Sequence, residues 1–163
     1  MSVLKSIKYA FFAHLGISVI TMYIGGLEQY LVKQLFIALA IVVLYFVIGF
    51  SLPNQGKSLK NLLAVFPVSL MSFVVAAYCC LVYQLQIVGK YHYAYETVHY
   101  KIIRTICLFY NASTVPASNL IGRVFPSFML PYGWLVTFFI PAAAMWAGLE
   151  WRRKKDPGSV AVQ

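Results

Sequence analysis

Two histidines and a glutamate near the middle of the chain have the clearest chemical potential. His92, Glu96 and His99 are separated by four and three positions, so a helix would carry all three on one face. Two imidazoles and a carboxylate are a reasonable ligand set for zinc or iron. One hypothesis is therefore a metal-dependent membrane enzyme that uses this triplet.

A structural interpretation of the same triplet is favoured over the metal site. On a strand, His99 would point away from His92 and Glu96, and three alternating tyrosines leave that alternative open: Tyr91, Tyr93 and Tyr95. Aromatic residues also gather where a membrane meets water, because the ring tolerates apolar surroundings while the hydroxyl stays hydrated. A short ligand motif without a second pattern often arises by chance. We therefore expect an interfacial aromatic belt, no cofactor and no catalytic residue, with a bound metal as the alternative.

A second polar set lies inside the first apolar stretch of the chain. His14, Ser18 and Thr21 share one helical face at spacings of four and three. Polar groups at this depth are costly and often functional, so this face is a candidate lining for a cavity that binds a small solute or lipid. The favoured alternative is that a neutral His14 hydrogen-bonds to a neighbouring helix.

The elements that must position these residues are membrane helices. Hydrophobic residues make up 61% of the 163 residues and charged residues 10%, which departs strongly from a soluble domain. A bilayer core requires about 20 apolar residues per helix, and four stretches meet that length. The sequence predicts an all-α integral membrane protein, a four-transmembrane-helix bundle in one membrane domain (1–163), with spans at about 7–26, 34–52, 62–88 and 128–150.

The basic residues indicate the orientation of these spans. With both termini inside, eight of the 13 lysines and arginines are cytoplasmic: Lys5, Lys8, Lys57, Lys60, Arg152, Arg153, Lys154 and Lys155. The excess of basic residues in cytoplasmic loops therefore predicts a multi-pass protein of the cell membrane with a cytoplasmic tail at 151–163. The net charge of +9 comes from span ends and loops rather than from a nucleic-acid-binding motif, so no nucleic-acid partner is expected.

The segment 89–127 is predicted to lie on the outer side, between the third and fourth spans. Its middle part, 102–110, is too short to cross a bilayer and too apolar to remain in water, which predicts an interfacial or re-entrant helix. The triplet Asn111, Ala112 and Ser113 matches a glycosylation acceptor.

Small residues spaced four apart predict close helix packing, within the bundle or against a partner helix. The pairs are Ser72 with Ala76, Ala143 with Ala147, and Ala144 with Gly148. Cys79, Cys80 and Cys107 are interpreted as small apolar packing residues. These features favour a non-enzymatic accessory, assembly or protective subunit of a larger membrane system, whose partners are membrane lipids and another membrane protein or a second copy. A solute- or lipid-binding transport component is the first alternative, and the metal-dependent enzyme is the second.

Overall fold

The computed structural model describes residues 3–24, 31–88, 98–124 and 133–155, and within these ranges the elements are helical. The α-helices are α1 (Val3–Ile24), α2 (Leu31–Ser51), α3 (Ser58–Val88), α4 (Val98–Asn111), α5 (Val115–Val124) and α6 (Ile140–Lys155). The 3₁₀ helix Ala112–Thr114 joins α4 to α5, and the 3₁₀ helix Gly133–Phe139 leads into α6. The predicted all-α class is confirmed for this part of the chain.

Three helical stretches in the described residues are long and apolar enough to cross a membrane: Val3–Ile24, Val32–Ser51 and Ser58–Leu81. They correspond to the spans predicted at 7–26, 34–52 and 62–88. α1 begins at Val3 and α3 begins at Ser58, both ahead of the apolar runs. Lysine favours the helical conformation, so Lys5, Lys8 and Lys60 extend these helices beyond their apolar parts.

The region of the predicted fourth span, 128–150, differs from a single long α-helix. Its first described part is the 3₁₀ helix Gly133–Phe139, and α6 has 16 residues. At 1.5 Å per residue α6 is about 24 Å long, less than the ~30 Å of a bilayer core. Pro141 is its second residue, where a missing N–H costs little. α6 also continues to Lys155, because basic residues in a last turn interact favourably with the helix dipole.

α2 and α6 approach each other closely where they cross. A Cβ atom built on Gly49 would overlap the backbone of Met145, and one built on Gly148 would overlap the backbone of Phe46. The two backbones can approach this closely because neither glycine has a side chain. Beside this crossing, Tyr45, Met145 and Leu149 are fully buried and belong to the main apolar cluster.

The beginnings of α1 and α3 and the end of α6 meet at one end of the bundle. Gln55, in the loop between α2 and α3, donates from Nε2 to Ser6 Oγ at 3.0 Å. Asn61 Nδ2 donates to Glu150 Oε1 at 2.9 Å. The helix ends and the loop that these contacts join carry all eight basic residues of the predicted cytoplasmic set, so we call this the basic end.

The chain from Val98 to Val124, comprising α4, Ala112–Thr114 and α5, packs into the bundle and is called the inserted segment. α4 packs against α3 and α1, Ala112–Thr114 against α1 and α2, and α5 against α2. Ala112, Ser113 and Thr114 are buried, and we call them the tip. Ser113 lies beside Ser18 of α1 and Tyr45 of α2, so the tip lies inside the bundle rather than at its end.

Candidate functional site

His14 lies near the centre of α1 and is completely buried. Its Nδ1 atom is 2.7 Å from the hydroxyl of Tyr45 on α2, and its Nε2 atom is 3.5 Å from the hydroxyl of Ser72 on α3. The ring of Tyr110, at the end of α4, has its centroid 4.7 Å from that of His14. One side chain therefore contacts three other helices.

The hydroxyl of Tyr45 connects His14 to the tip of the inserted segment. It donates to Ser113 Oγ at 2.8 Å. A hydroxyl can both donate and accept, so Tyr45 joins His14 and Ser113 in one chain of hydrogen bonds. Both ring nitrogens of His14 thereby face a hydroxyl partner.

Ser18 binds the same inserted segment one turn further along α1. Its hydroxyl donates to the carbonyl oxygen of Tyr110 at 2.9 Å and lies 3.4 Å from Ser113 Oγ. The Tyr110 hydroxyl in turn lies 3.4 Å from the carbonyl oxygen of Val68 on α3. We call His14, Ser18, Tyr45, Ser72, Tyr110 and Ser113 the central polar cluster.

The third residue of the predicted polar face, Thr21, has a different environment. It is buried with His14 and Ser18, but its hydroxyl donates to the carbonyl oxygen of Ile17 in its own helix, at 2.8 Å. Such a bond satisfies a buried hydroxyl within a single helix. The structure thus places all three residues on the inner side of α1 and joins two of them to the cluster.

Local backbone features form the tip of the inserted segment. Asn111 leaves the α-helical conformation at φ −97° and ψ 8°, and the 3₁₀ turn Ala112–Thr114 follows. Thr114 Oγ1 donates to the carbonyl oxygen of Asn111 at 2.8 Å. Pro116, the second residue of α5, has a fixed φ that suits the first turn of a helix. These features turn the chain, and the carbonyl oxygens of Asn111 and Ala112 accept hydrogen bonds within the turn.

The side chain of Asn111 is buried in this arrangement. Its exposed fraction is 4%, and its Nδ2 atom donates to Cys107 Sγ at 3.6 Å. Ala112 and Ser113 are buried with it. The acceptor triplet recognised in the sequence is therefore inaccessible to a glycosylating enzyme in this fold.

The predicted metal triplet falls mostly outside the described residues. His92 and Glu96 lie there, and His99 is in α4 without a described side chain. Elsewhere in the described ranges there is no group of three histidine, cysteine or acidic side chains suited to a metal ion. The triplet remains a prediction, and metal analysis of the purified protein with a His92→Ala control tests it.

The inserted segment brings together cysteines that are distant in sequence. The thiol of Cys107 on α4 lies close to the thiols of Cys79 and Cys80 on α3. All three are free thiols and partly buried. The packing of α4 against α3 thus gives Cys107 a cysteine neighbour that its sequence context does not indicate.

A second polar cluster closes the basic end. Asn61 is fully buried, accepts the backbone N–H of Gln55 at 2.8 Å and donates to Asn54 Oδ1 at 3.1 Å. Glu150, which accepts from Asn61, also accepts from Arg153 Nε at 2.8 Å. These bonds connect the loop between α2 and α3 to the end of α6.

Arg152 stabilises the adjacent end of α2. Its Nη1 atom donates to the carbonyl oxygens of Phe50, Ser51 and Leu52, at 3.3, 3.4 and 3.1 Å. The last carbonyls of a helix have no partner within it, so a cation at this position satisfies them and interacts favourably with the helix dipole.

The residues predicted to pack helices divide into two groups. Ser72, Ala76 and Gly148 are buried, and Ala144 packs partly against the apolar cluster. In contrast, Ala143 and Ala147 are exposed on the opposite side of α6. That pair makes its predicted close approach to no described helix of this chain, because Gly148 rather than Ala147 faces α2.

Sequence reasoning gave no role to Tyr45, Tyr110 and Asn61. It interpreted Ser113 only as part of the glycosylation triplet and Arg152 only as one of the cytoplasmic basic residues. The available signal was polarity in an apolar context: Tyr45 carries a hydroxyl in the middle of the most apolar span, and Asn61 borders the third span. Their partners are distant along the chain, since 68 positions separate Tyr45 from Ser113. Comparisons of the chain with protein-family models, with curated proteins and with solved structures give no match.

Proposed function

We propose that the protein is a multi-pass cell-membrane protein with four crossings and a re-entrant inserted segment. α1, α2 and α3 supply three crossings, and Gly133–Phe139 together with α6 supplies the fourth. At about 2.0 Å per 3₁₀ residue and 1.5 Å per α-helical residue, the part of that pair without charged residues, from Gly133 to Leu149, is about 29 Å long, close to the ~30 Å of the hydrocarbon core. The position of Ser113 beside Ser18 and Tyr45, inside the bundle, supports re-entry rather than a surface position.

The orientation we propose places both termini in the cytoplasm. The support is the gathering of eight lysines and arginines at the basic end, where Ser6, Gln55, Asn61 and Glu150 are in contact. Cytoplasmic loops of membrane proteins are enriched in these residues. The tip of the inserted segment would then enter the membrane from the outer side.

Within the membrane, the protein is proposed to act without catalysis, as an accessory, assembly or protective subunit of a larger membrane system. The observation that carries this proposal is the two-sided character of α6. Gly148 holds one side against α2, while Ala143 and Ala147 are exposed on the other. Small residues at this spacing allow a second helix to approach closely, so the exposed side suits a partner helix.

The central polar cluster supports a packing role for His14 over a ligand-binding one. Its imidazole is engaged by Tyr45 and Ser72, and Ser18 binds the inserted segment. A His14→Ala variant separates the two roles, because lost folding follows from packing, whereas preserved folding with lost ligand binding would favour a transport component.

Site-specific photocrosslinking in native membranes tests the subunit role. A photoreactive amino acid at Ala147 is expected to yield one reproducible adduct, whose mass identifies a second copy or a different protein. The matched control is Ile20, which is 50% exposed on α1 and lies away from the proposed face. The proposal would be contradicted if both positions gave the same set of adducts and the protein also purified alone in mild detergent. The contact at Ala147 would then be no more specific than the contact at Ile20.

A further inference from the structure

An apolar groove of about 530 Å³ lies between α1 and α2 and ends at the basic end. Tyr9 and Ala13 of α1 form one wall, and Val47 and Ile48 of α2 form the other. Arg152, from α6, lines the same groove where α2 ends. Its volume falls within the range of roughly 300–1,000 Å³ that is typical of ligand sites.

The basic end of the groove is flanked by cations from two helices. Lys5 and Lys8 line an adjoining hollow on α1, and Tyr9 borders both spaces. Glu150 is the acidic residue nearest to Arg152 in sequence. It already forms an ion pair with Arg153, whose Nη2 atom is 2.7 Å from Glu150 Oε2. The charge presented beside the apolar groove is therefore positive.

Arg152 holds the end of α2 with only part of its guanidinium group. Its hydrogen bonds to the end of α2 all come from one nitrogen, Nη1, whereas a guanidinium has five N–H donors in a planar fork. That fork matches the geometry of a phosphate group. The side chain can therefore hold the end of α2 through Nη1 and, at the same time, bind an anion through its other N–H groups.

We propose that the groove binds an anionic phospholipid of the surrounding bilayer. One acyl chain lies between α1 and α2, along Ala13 and Val47, and the phosphate lies at the basic end between Arg152 and the lysines of α1. The apolar walls favour the acyl chain, and the positive charge selects an anionic headgroup over a zwitterionic one. This site is independent of the proposed partner face, which lies on the exposed side of α6.

Native mass spectrometry of the purified full-length protein tests the site. The protein is released from detergent micelles that contain phosphatidylglycerol or phosphatidylcholine with identical acyl chains. Preferential retention of phosphatidylglycerol is expected, and Arg152→Gln is expected to weaken it about fivefold, since one basic residue near an anionic surface contributes about 1 kcal/mol.

Lys154→Gln is the matched control, because it removes the same charge from the same end. Lys154 lines a separate hollow with Trp151 and Lys155, so retention of phosphatidylglycerol should stay within about twofold of the unmodified protein. Equal losses in Arg152→Gln and Lys154→Gln would show a diffuse charge effect and overturn the proposed site.

Ala13→Leu tests the groove without changing any charge or the end of α2. It fills the space beside Val47 and is expected to reduce retention of phosphatidylglycerol, and it decides the question alone if Arg152→Gln fails to fold. Full retention in Ala13→Leu would overturn the proposal. So would retention of inorganic phosphate to the same extent as phosphatidylglycerol, because the acyl groove would then contribute nothing.

Discussion

Tyr45 holds the centre of the buried hydrogen-bond cluster, because its hydroxyl contacts both His14 and Ser113. Interhelical hydrogen bonds in membranes contribute modestly, about 0.6 kcal/mol on average. A buried polar group left without a partner costs more than that. The cluster therefore specifies the depth at which the tip of the inserted segment fits, in addition to its contribution to stability.

A double-mutant cycle of Tyr45→Phe and Ser113→Ala measures this connection. We expect each single variant to lower the free energy of unfolding, and the pair to show a coupling of about 0.6 kcal/mol, up to ~1.7. Denaturant titration in mixed micelles provides the measurement. Tyr23→Phe is the control, since Tyr23 is 93% exposed, and fully additive effects of the two variants would contradict the direct bond.

Gly148 illustrates a residue whose importance lies in its missing side chain. Gly148→Leu should destabilise the fold by more than the ~1–3 kcal/mol typical of overpacking, because the new atoms meet the backbone of α2. Thermal unfolding and oligomer size in detergent are the measurements.

Ala147→Leu is the control on the exposed side of the same helix. It should leave thermal stability unchanged while weakening the proposed partner contact at that face. If Gly148→Leu left the unfolding temperature and the oligomer size unchanged, the backbones of α2 and α6 would not be in close contact at Gly148.

At the scale of elements, the inserted segment departs most from an ordinary helical bundle. Its tip leaves the α-helical conformation beside Ser18 and Tyr45, and at the re-entrant depth that we propose, lipid would offer it no hydrogen bonds. Non-helical backbone is tolerated at membrane depth only where protein surrounds it. The burial of Ala112, Ser113 and Thr114 meets that condition, and α1 and α2 provide the surrounding side chains.

Disulfide trapping tests the packing of α4 against α3. In membranes of the Cys80→Ser variant, mild oxidation should form an intramolecular disulfide between Cys79 and Cys107, because their thiols lie close together in the fold. Peptide mass spectrometry detects the bond, and Cys107→Ser provides the negative control. Formation of intermolecular disulfides alone would contradict the position of α4.

At the scale of the whole molecule, the two ends of the bundle differ in chemistry. Asn61, Glu150 and Arg153 connect the helices at the basic end. The opposite end receives the beginning of the inserted segment, whose first described residues include the exposed Lys101. One end of the bundle is thus the charged, hydrogen-bonded basic end. At the other end the inserted segment begins, and from there it runs to the centre of the bundle.

Cysteine labelling in intact cells measures the proposed orientation. In a cysteine-free background, Lys101→Cys should react with a membrane-impermeant maleimide, whereas Lys57→Cys and Lys155→Cys should react only after the cells are permeabilised. All three positions are exposed in the fold, so accessibility depends on the side of the membrane. Labelling of Lys57→Cys and Lys155→Cys in intact cells would reverse the proposed topology.

The sequence by itself determined the helical class, the three long apolar helices and the polar face of α1. These features depend on composition and on the period of the helix, which are local properties. The same local pattern placed Ala144 and Gly148 on one face, and Ala143 and Ala147 on another. This local pattern contained no information about which face of α6 would contact α2.

Only the tertiary structure decided what those faces contact. Tyr45 and Ser113 are far apart in sequence, and so are Cys79 and Cys107, so no periodic pattern relates them. Their meeting depends on how deep α4 and its tip pack between the other helices. That depth follows from many weak contacts acting together, including the bonds of His14 and Ser18, and a one-dimensional pattern of hydrophobicity does not encode it.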